Sequence, residues 1–295
     1  MKNIKLIFSI LSIALVFLLV AIFSYNLFEP KAYDFMMKNV VTERLPFDHK
    51  KQIDGSSDVV LVMIDSKTVE KYRWPWPRAR YCDIIEYFTK YTKAKVVIHD
   101  AIITTTDREN PTSDKKFLAT VKASNNLVEG FLPDNKPWKN EKQIHQAYDK
   151  AFLNKFGLKA DGKVNVALFY RSMLPLPQEY FNSVKNIGSV AVLSGFINGN
   201  RSPLVRDNVN RNHSYVAKYA DGYIPSLSLK AFLIGNNNPK IVISDNSISF
   251  PELNYTIRQK KSYFQLSNPV KFYTLKGDYS HKYYSAVDII TSYNN

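Results

Sequence analysis

The chain has 295 residues, 45% of them hydrophobic, and a net charge of +14. That is ample for a real core, in one large domain or two small ones. Its 40 Lys and Arg residues are spread along the whole length with only short clusters such as Lys50-Lys51 and Lys260-Lys261, without a basic stripe interleaved with aromatics, which argues against nucleic acid as a partner, and the single Cys82 excludes an intramolecular disulfide.

Residues 6–23, LIFSILSIALVFLLVAIF, carry no charge and are almost wholly apolar. About 20 such residues span the hydrocarbon core, so a transmembrane helix is expected here. A cleaved signal peptide has a shorter apolar run and a small-x-small site; the run here is longer, and Ile22-Phe23-Ser24-Tyr25-Asn26 offers no such site. The segment therefore reads as an uncleaved anchor. Lys2 and Lys5 precede it, which puts the N-terminus in the cytoplasm and the bulk of the chain outside. Residues 28–44 repeat Phe28, Tyr33 and Val40 at roughly helical spacing, as in a short amphipathic helix. Residues 46–57 are polar and loop-like.

Residues 59–106 form the centre of the pattern. An apolar run over 59–64 ends at Asp65, and a second over 95–98 ends at His99 and Asp100. A helix of about 14 residues between them would be the crossover of a parallel βαβ unit. Its apolar face is Tyr81, Ile84, Ile85, Phe88 and Tyr91, with Pro77 in the first turn. Ser113 is placed to cap a helix over 114–124, and 126–132 reads as a third parallel strand. Helices follow at 143–156 and 178–185, strands at 164–170, 188–196 and 215–219, and a helix at 225–235. Residues 240–257 alternate around Asp245-Asn246 as a β-hairpin, 262–267 is another strand, and a last helix begins near Ser285. The class is α/β: an N-terminal transmembrane helix, then a mixed, largely parallel sheet with flanking helices and a C-terminal hairpin region.

The string Trp74-Pro75-Trp76-Pro77-Arg78, with Ile64-Asp65 before it and Asp100 ending the next strand, resembles the CHASE domain type 2 family, an extracellular sensor module of bacterial membrane receptors. Looser matches are Pro175 and Pro177, Ile187-Gly188-Ser189-Val190, Pro203 to Arg206, Pro225-Ser226-Leu227 and Tyr284 to Ile289. The resemblance covers roughly residues 58–290. Two departures stand out. His99 precedes the second Asp where the family has Phe, and Lys71-Tyr72-Arg73 fills the place of a glycine usual before the first Trp. The resemblance implies a sensor domain over 58–295, C-terminally truncated. An anchor over 1–26 and a juxtamembrane segment over 27–57 would precede it, and a cytoplasmic cyclase or kinase output would lie outside this chain. It also implies an envelope or small-molecule ligand, the membrane and a homodimer as partners, and no cofactor.

The candidate residues are Asp65, Trp74, Trp76, Arg78, His99 and Asp100. On adjacent parallel strands, the two carboxylates would face a ligand at the strands' carboxyl ends, or serve an envelope hydrolase. Otherwise each caps a helix or pairs with Arg78. Trp74 and Trp76 would pack on the sheet or form an aromatic platform. Arg78, poorly placed for a helix dipole, calls for a carboxylate, with Asp65 or Asp100 as candidates. The sequence carries no nucleophile elbow, P-loop or dinucleotide fingerprint.

Overall fold

The structure is a computed structural model that describes residues 12–13, 15–16, 59–107, 110–132, 142–162, 168–169, 176–190, 212–213, 215–244, 247–258, 260–262, 265–269 and 282–294. The chain divides into two compact units. The larger comprises Leu61–Gly199, Asn210–Val270 and Tyr283–Asn295 and contains every site discussed below. The smaller comprises Met1–Val60, Asn200–Val209 and Lys271–Lys282, with residues 12, 13, 15, 16, 59, 60 and 282 described. Most of the expected anchor and the 28–44 segment thus lie outside the described residues. Among those described, no helix is long and apolar enough to cross a membrane.

The centre is a three-stranded parallel sheet of order β2 (Val97–Ile102), β3 (Leu127–Phe131) and β6 (Ile187–Ser189). Its register pairs Val97 with Leu127 and Glu129 with Ile187. Alternation along a strand sends neighbours to opposite faces. Gly188 therefore faces α6 (Leu227–Gly235), and a Cβ on it would stand 2.5 Å from the Leu227 Cα. His99, Glu129 and Ile187 point the other way. Phe117 of α3 (Pro111–Ala123) and Tyr180 of α5 (Gln178–Ser183) cover that face, stacked 6.1 Å apart. The core around them includes Phe131, Phe152, Phe156 and Tyr219, all at most 2% exposed.

The β-hairpin expected over 240–257 is present as β10 (Val242–Ser244) and β11 (Ser247–Phe250), with Val242 opposite Ser249. It lies in a sheet of order β12 (Tyr255–Arg258), β11, β10 and β4 (Asp161–Gly162). Ile241, Ile243, Ile248 and Phe250 pack with Leu229 and Leu233 as a second core. The strand expected over 215–219 is β8 (Val216–Tyr219), paired with β9 (Gly222–Pro225) and with β5 (Leu168–Phe169). A further small sheet joins β13 (Lys260–Ser262), β14 (Gln265–Pro269) and β7 (Asn212–His213). The helix expected over 143–156 is α4 (Lys142–Phe156).

The first strand departs from the expected βαβ unit. β1 (Val60–Met63) pairs with β15 (Lys282–Ser285) and not with β2. Asp65 starts a helix at once: its side chain accepts the Thr68 N–H at 2.9 Å and caps α1 (Ser66–Tyr72). The expected crossover helix is α2 (Ala79–Lys90), and an additional helix, α1, occupies the stretch expected to be loop, with Trp74 to Pro77 between them. Asp65 also accepts from Ser285 at 2.8 Å, and the buried Thr68 hydroxyl accepts the Val287 N–H at 3.1 Å. These bonds clamp α1 to α7 (Ala286–Asn294) across more than 200 residues of sequence. Farther along α2, Glu86 accepts from Thr120 of α3 at 2.7 Å and from Tyr293 of α7 at 2.6 Å. With Lys90 also bonded, these partners overcome the cost of burial and hold its carboxyl at about 2, against an ordinary 4.5.

Candidate functional site

The starts of α2, α3 and α5 gather beside the segment that leaves the carboxyl end of β2. They enclose an open cleft of about 680 Å³ lined by Trp76, Arg78, Asp107, Pro177 and three consecutive threonines, Thr104, Thr105 and Thr106. Open α/β sheets bind ligands at this end of their strands. Local bonding ties the helix starts and the threonine segment together. Asn110 caps α3 through the Ser113 N–H at 3.1 Å, so Ser113 is not the cap expected of it. The Ser113 hydroxyl instead accepts the Ala79 N–H at 2.6 Å and caps the neighbouring α2. Asp114, in the first turn of α3, accepts the Asp107 N–H at 2.6 Å and pins the threonine segment.

Arg78 does have a carboxylate partner, but it is neither Asp65 nor Asp100. Its guanidinium donates to Asp114 at 2.6 Å and to the Thr105 carbonyl. The packing of α2 on α3 sets this choice, because it brings the two helix starts together. Asp65 is committed to α1 and α7, and its bonds to Thr68 and Ser285 lower its pKa. Asp100 is exposed on β2, where the register shifts between His99 and Ile102, and its side chain makes no hydrogen bond or ion pair among the described residues. The two aspartates do not end adjacent strands, so the paired-carboxylate arrangement is absent.

The two tryptophans have different surroundings. Trp76 is 7% exposed and packs with Ala286 and Ile290 of α7, whereas Trp74 is 55% exposed. The peptide between Trp74 and Pro75 is cis. Arg73, immediately before, has φ of 58° and ψ of 177°, a region suited to glycine. This is the stretch where the resembled family usually carries one.

His99 is brought into an arrangement that the motif reading did not contain. Its Nδ1 lies 2.8 Å from Oε2 of Glu129, which is fully buried, and the Tyr180 hydroxyl donates to the same oxygen at 2.9 Å. Burial alone opposes protonation of His99, but the Glu129 charge outweighs it, and the imidazole pKa is raised. Burial and the same carboxylate push the Tyr180 hydroxyl well above its ordinary range. His99 Nε2, Glu129 Oε1 and the Trp76 indole nitrogen are buried without a hydrogen-bond partner among the described residues. Rings connect cleft and triad: centroids stand 6.0 Å apart for Trp74–Trp76, 5.6 Å for Trp76–Tyr81 and 4.8 Å for Tyr81–His99. The one available sequence signal was Glu129 itself, a charge inside the otherwise apolar Leu127–Phe131.

Trp76 and Arg78 thus share the cleft, Trp74 stands beside it, His99 lies beyond Tyr81, and Asp65 and Asp100 belong elsewhere. Among the described residues no group of three or more His, Cys, Asp or Glu side chains could hold a metal ion. No curated protein and no solved structure matches the chain. The model of the CHASE2 domain, an extracytoplasmic sensory family rather than a catalytic one, matches residues 10–295, and the chain belongs to that family.

Proposed function

We propose that this chain is the ligand-sensing part of a membrane receptor. The apolar segment 6–23 anchors it, residues 58–295 lie outside the cytoplasmic membrane, and the signal passes to a cytoplasmic cyclase or kinase output. The receptor acts as a homodimer, and its ligand comes from the envelope or is a small molecule taken into the Arg78 cleft. One observation carries this reading: Trp76 lines the cleft and also packs on Ala286 and Ile290 of α7. A ligand that prefers one setting of the Trp74–Pro77 loop would shift α7 with it, as a two-state sensor requires. An enzyme built on Asp65 and Asp100 has no such support, since the two are not neighbours in the sheet.

The test fills the cleft by Thr105→Trp in the full-length chain and follows amide exchange in α7. We expect exchange over Ala286–Asn294 to change while the hairpin β10–β11 stays as before. Equal exchange in both chains would refute the relay. Protease added to spheroplasts should cut residues beyond 58, and cutting only after lysis would overturn the placement.

A further inference from the structure

We propose that the cleft recognises a neutral, polyhydroxylated ligand: a saccharide. The inference rests on the sensory reading of the cleft and adds the class of ligand.

Among the described residues, the donors that would hold an anion are already engaged. Arg78 is engaged by Asp114 and by the Thr105 carbonyl. The Ala79 N–H serves Ser113, and the Ser113 and Asp114 N–H groups serve Asn110. A free carboxylate or phosphate would have to displace Asp114, which also fixes the threonine segment through Asp107. A cation fares no better. The one carboxylate it would meet among the described lining residues, Asp107, uses one oxygen on the Asn110 N–H at 2.9 Å, and a single carboxylate beside the Arg78 guanidinium makes a poor cation site.

Among the described residues that line the cleft, the groups without a partner are neutral. The hydroxyls of Thr104, Thr105 and Thr106 make no hydrogen bond among the described residues, and all three line the cleft. Trp76 lines it too, with a buried indole N–H that has no partner among the described residues. Trp74 leaves more than half of its surface open, 6.0 Å from Trp76. A sugar ring offers C–H groups on its face, which stack on an exposed indole, and hydroxyls on its rim, which both donate and accept. Threonine hydroxyls match that mixed demand, whereas a purely anionic or cationic ligand uses only half of it. The volume of about 680 Å³ falls within the roughly 300–1,000 Å³ usual for small-molecule sites.

The test presents detergent-solubilised full-length chain to an array of neutral and acidic oligosaccharides, with glutamate, inorganic phosphate and choline as soluble competitors. We expect retention on neutral glycans, unaffected by the three competitors. Trp74→Ala and Thr105→Val should each weaken it about tenfold. Trp74 is largely exposed, so W74A should leave the melting temperature unchanged and read binding alone. Retention on acidic glycans only, competition by glutamate, phosphate or choline, or no retention at all would overturn the proposal. So would W74A binding as the unmodified chain does. The α7 exchange measured in Thr105→Trp involves no sugar, so it judges the sensory reading separately.

Discussion

Replacing His99 by Leu tests the buried triad directly. The substitution leaves Glu129, 0% exposed, with Tyr180 as its remaining side-chain donor among the described residues. Removing one partner of a buried ion pair costs about 3–5 kcal/mol, because the other charge is left uncompensated. That is roughly two to four powers of ten in the folding constant. The double variant His99→Leu with Glu129→Leu removes both charges and leaves the Tyr180 hydroxyl unpaired, a loss of about 1–3 kcal/mol. Glu129→Leu alone should also destabilise, and the double variant should be more stable than His99→Leu alone, a combination that independent sites cannot give. Urea unfolding at pH 7, followed by tryptophan fluorescence, measures all three. The pH dependence supplies a second check. The folded pKa of His99 is raised above its ordinary 6.5, so its contribution is complete below that value and is lost as pH rises through the folded value. Stability should fall on the alkaline side in the unmodified chain, and His99→Leu should lose that slope. A single variant no worse than the double, or an unchanged alkaline slope, would refute the ion pair.

Three further outcomes follow from the packing. Glu86, held at about 2, contributes stability that is complete above pH 4.5 and lost as pH falls towards 2; Glu86→Gln should flatten acid unfolding by about 1–2 kcal/mol after allowance for solvent screening. Arg73→Gly should stabilise the chain by about 1 kcal/mol in the same urea assay, because glycine occupies φ of 58° and ψ of 177° without strain; a loss of stability would contradict it. Gly188→Ala should cost at least about 2 kcal/mol, since its Cβ would press on the Leu227 backbone, which cannot yield as a flexible side chain would. A melting temperature equal to that of the unmodified chain would show that α6 lies farther from β6.

What the sequence revealed was local. The parallel pair β2–β3, the β10–β11 hairpin and the crossing α2 follow from periodicity, which neighbouring residues settle among themselves. The pairing of β1 with β15 could not be read that way, because the partner strand lies some 220 residues downstream and the intervening pattern is silent about it. The same limit governed Arg78. Its need for a carboxylate was visible in its place at a helix start, whereas the choice of Asp114 depends on how α2 packs on α3. Ser113 carried the right chemistry but served the wrong helix, since a hydroxyl near two helix starts caps whichever N–H packing brings nearer. Glu129 was legible only as an anomaly, and its partners His99 and Tyr180 reside on other elements.

The clamp between α1 and α7 also sets an order of events during synthesis. Thr68 waits for Ser285 and Val287, which lie 217 and 219 residues farther on, and Asp65 waits for Ser285 across 220. At the usual 5–20 residues per second, that interval is about 10–40 s. Through it, the first strand and the first helix have no lasting partners, and Trp76 has no α7 to pack against. The nascent domain can close only when its last helix emerges. Its earliest segments must therefore stay soluble in an unfinished state, and holding factors that bind exposed apolar strands would find β1 available until β15 and α7 have been made.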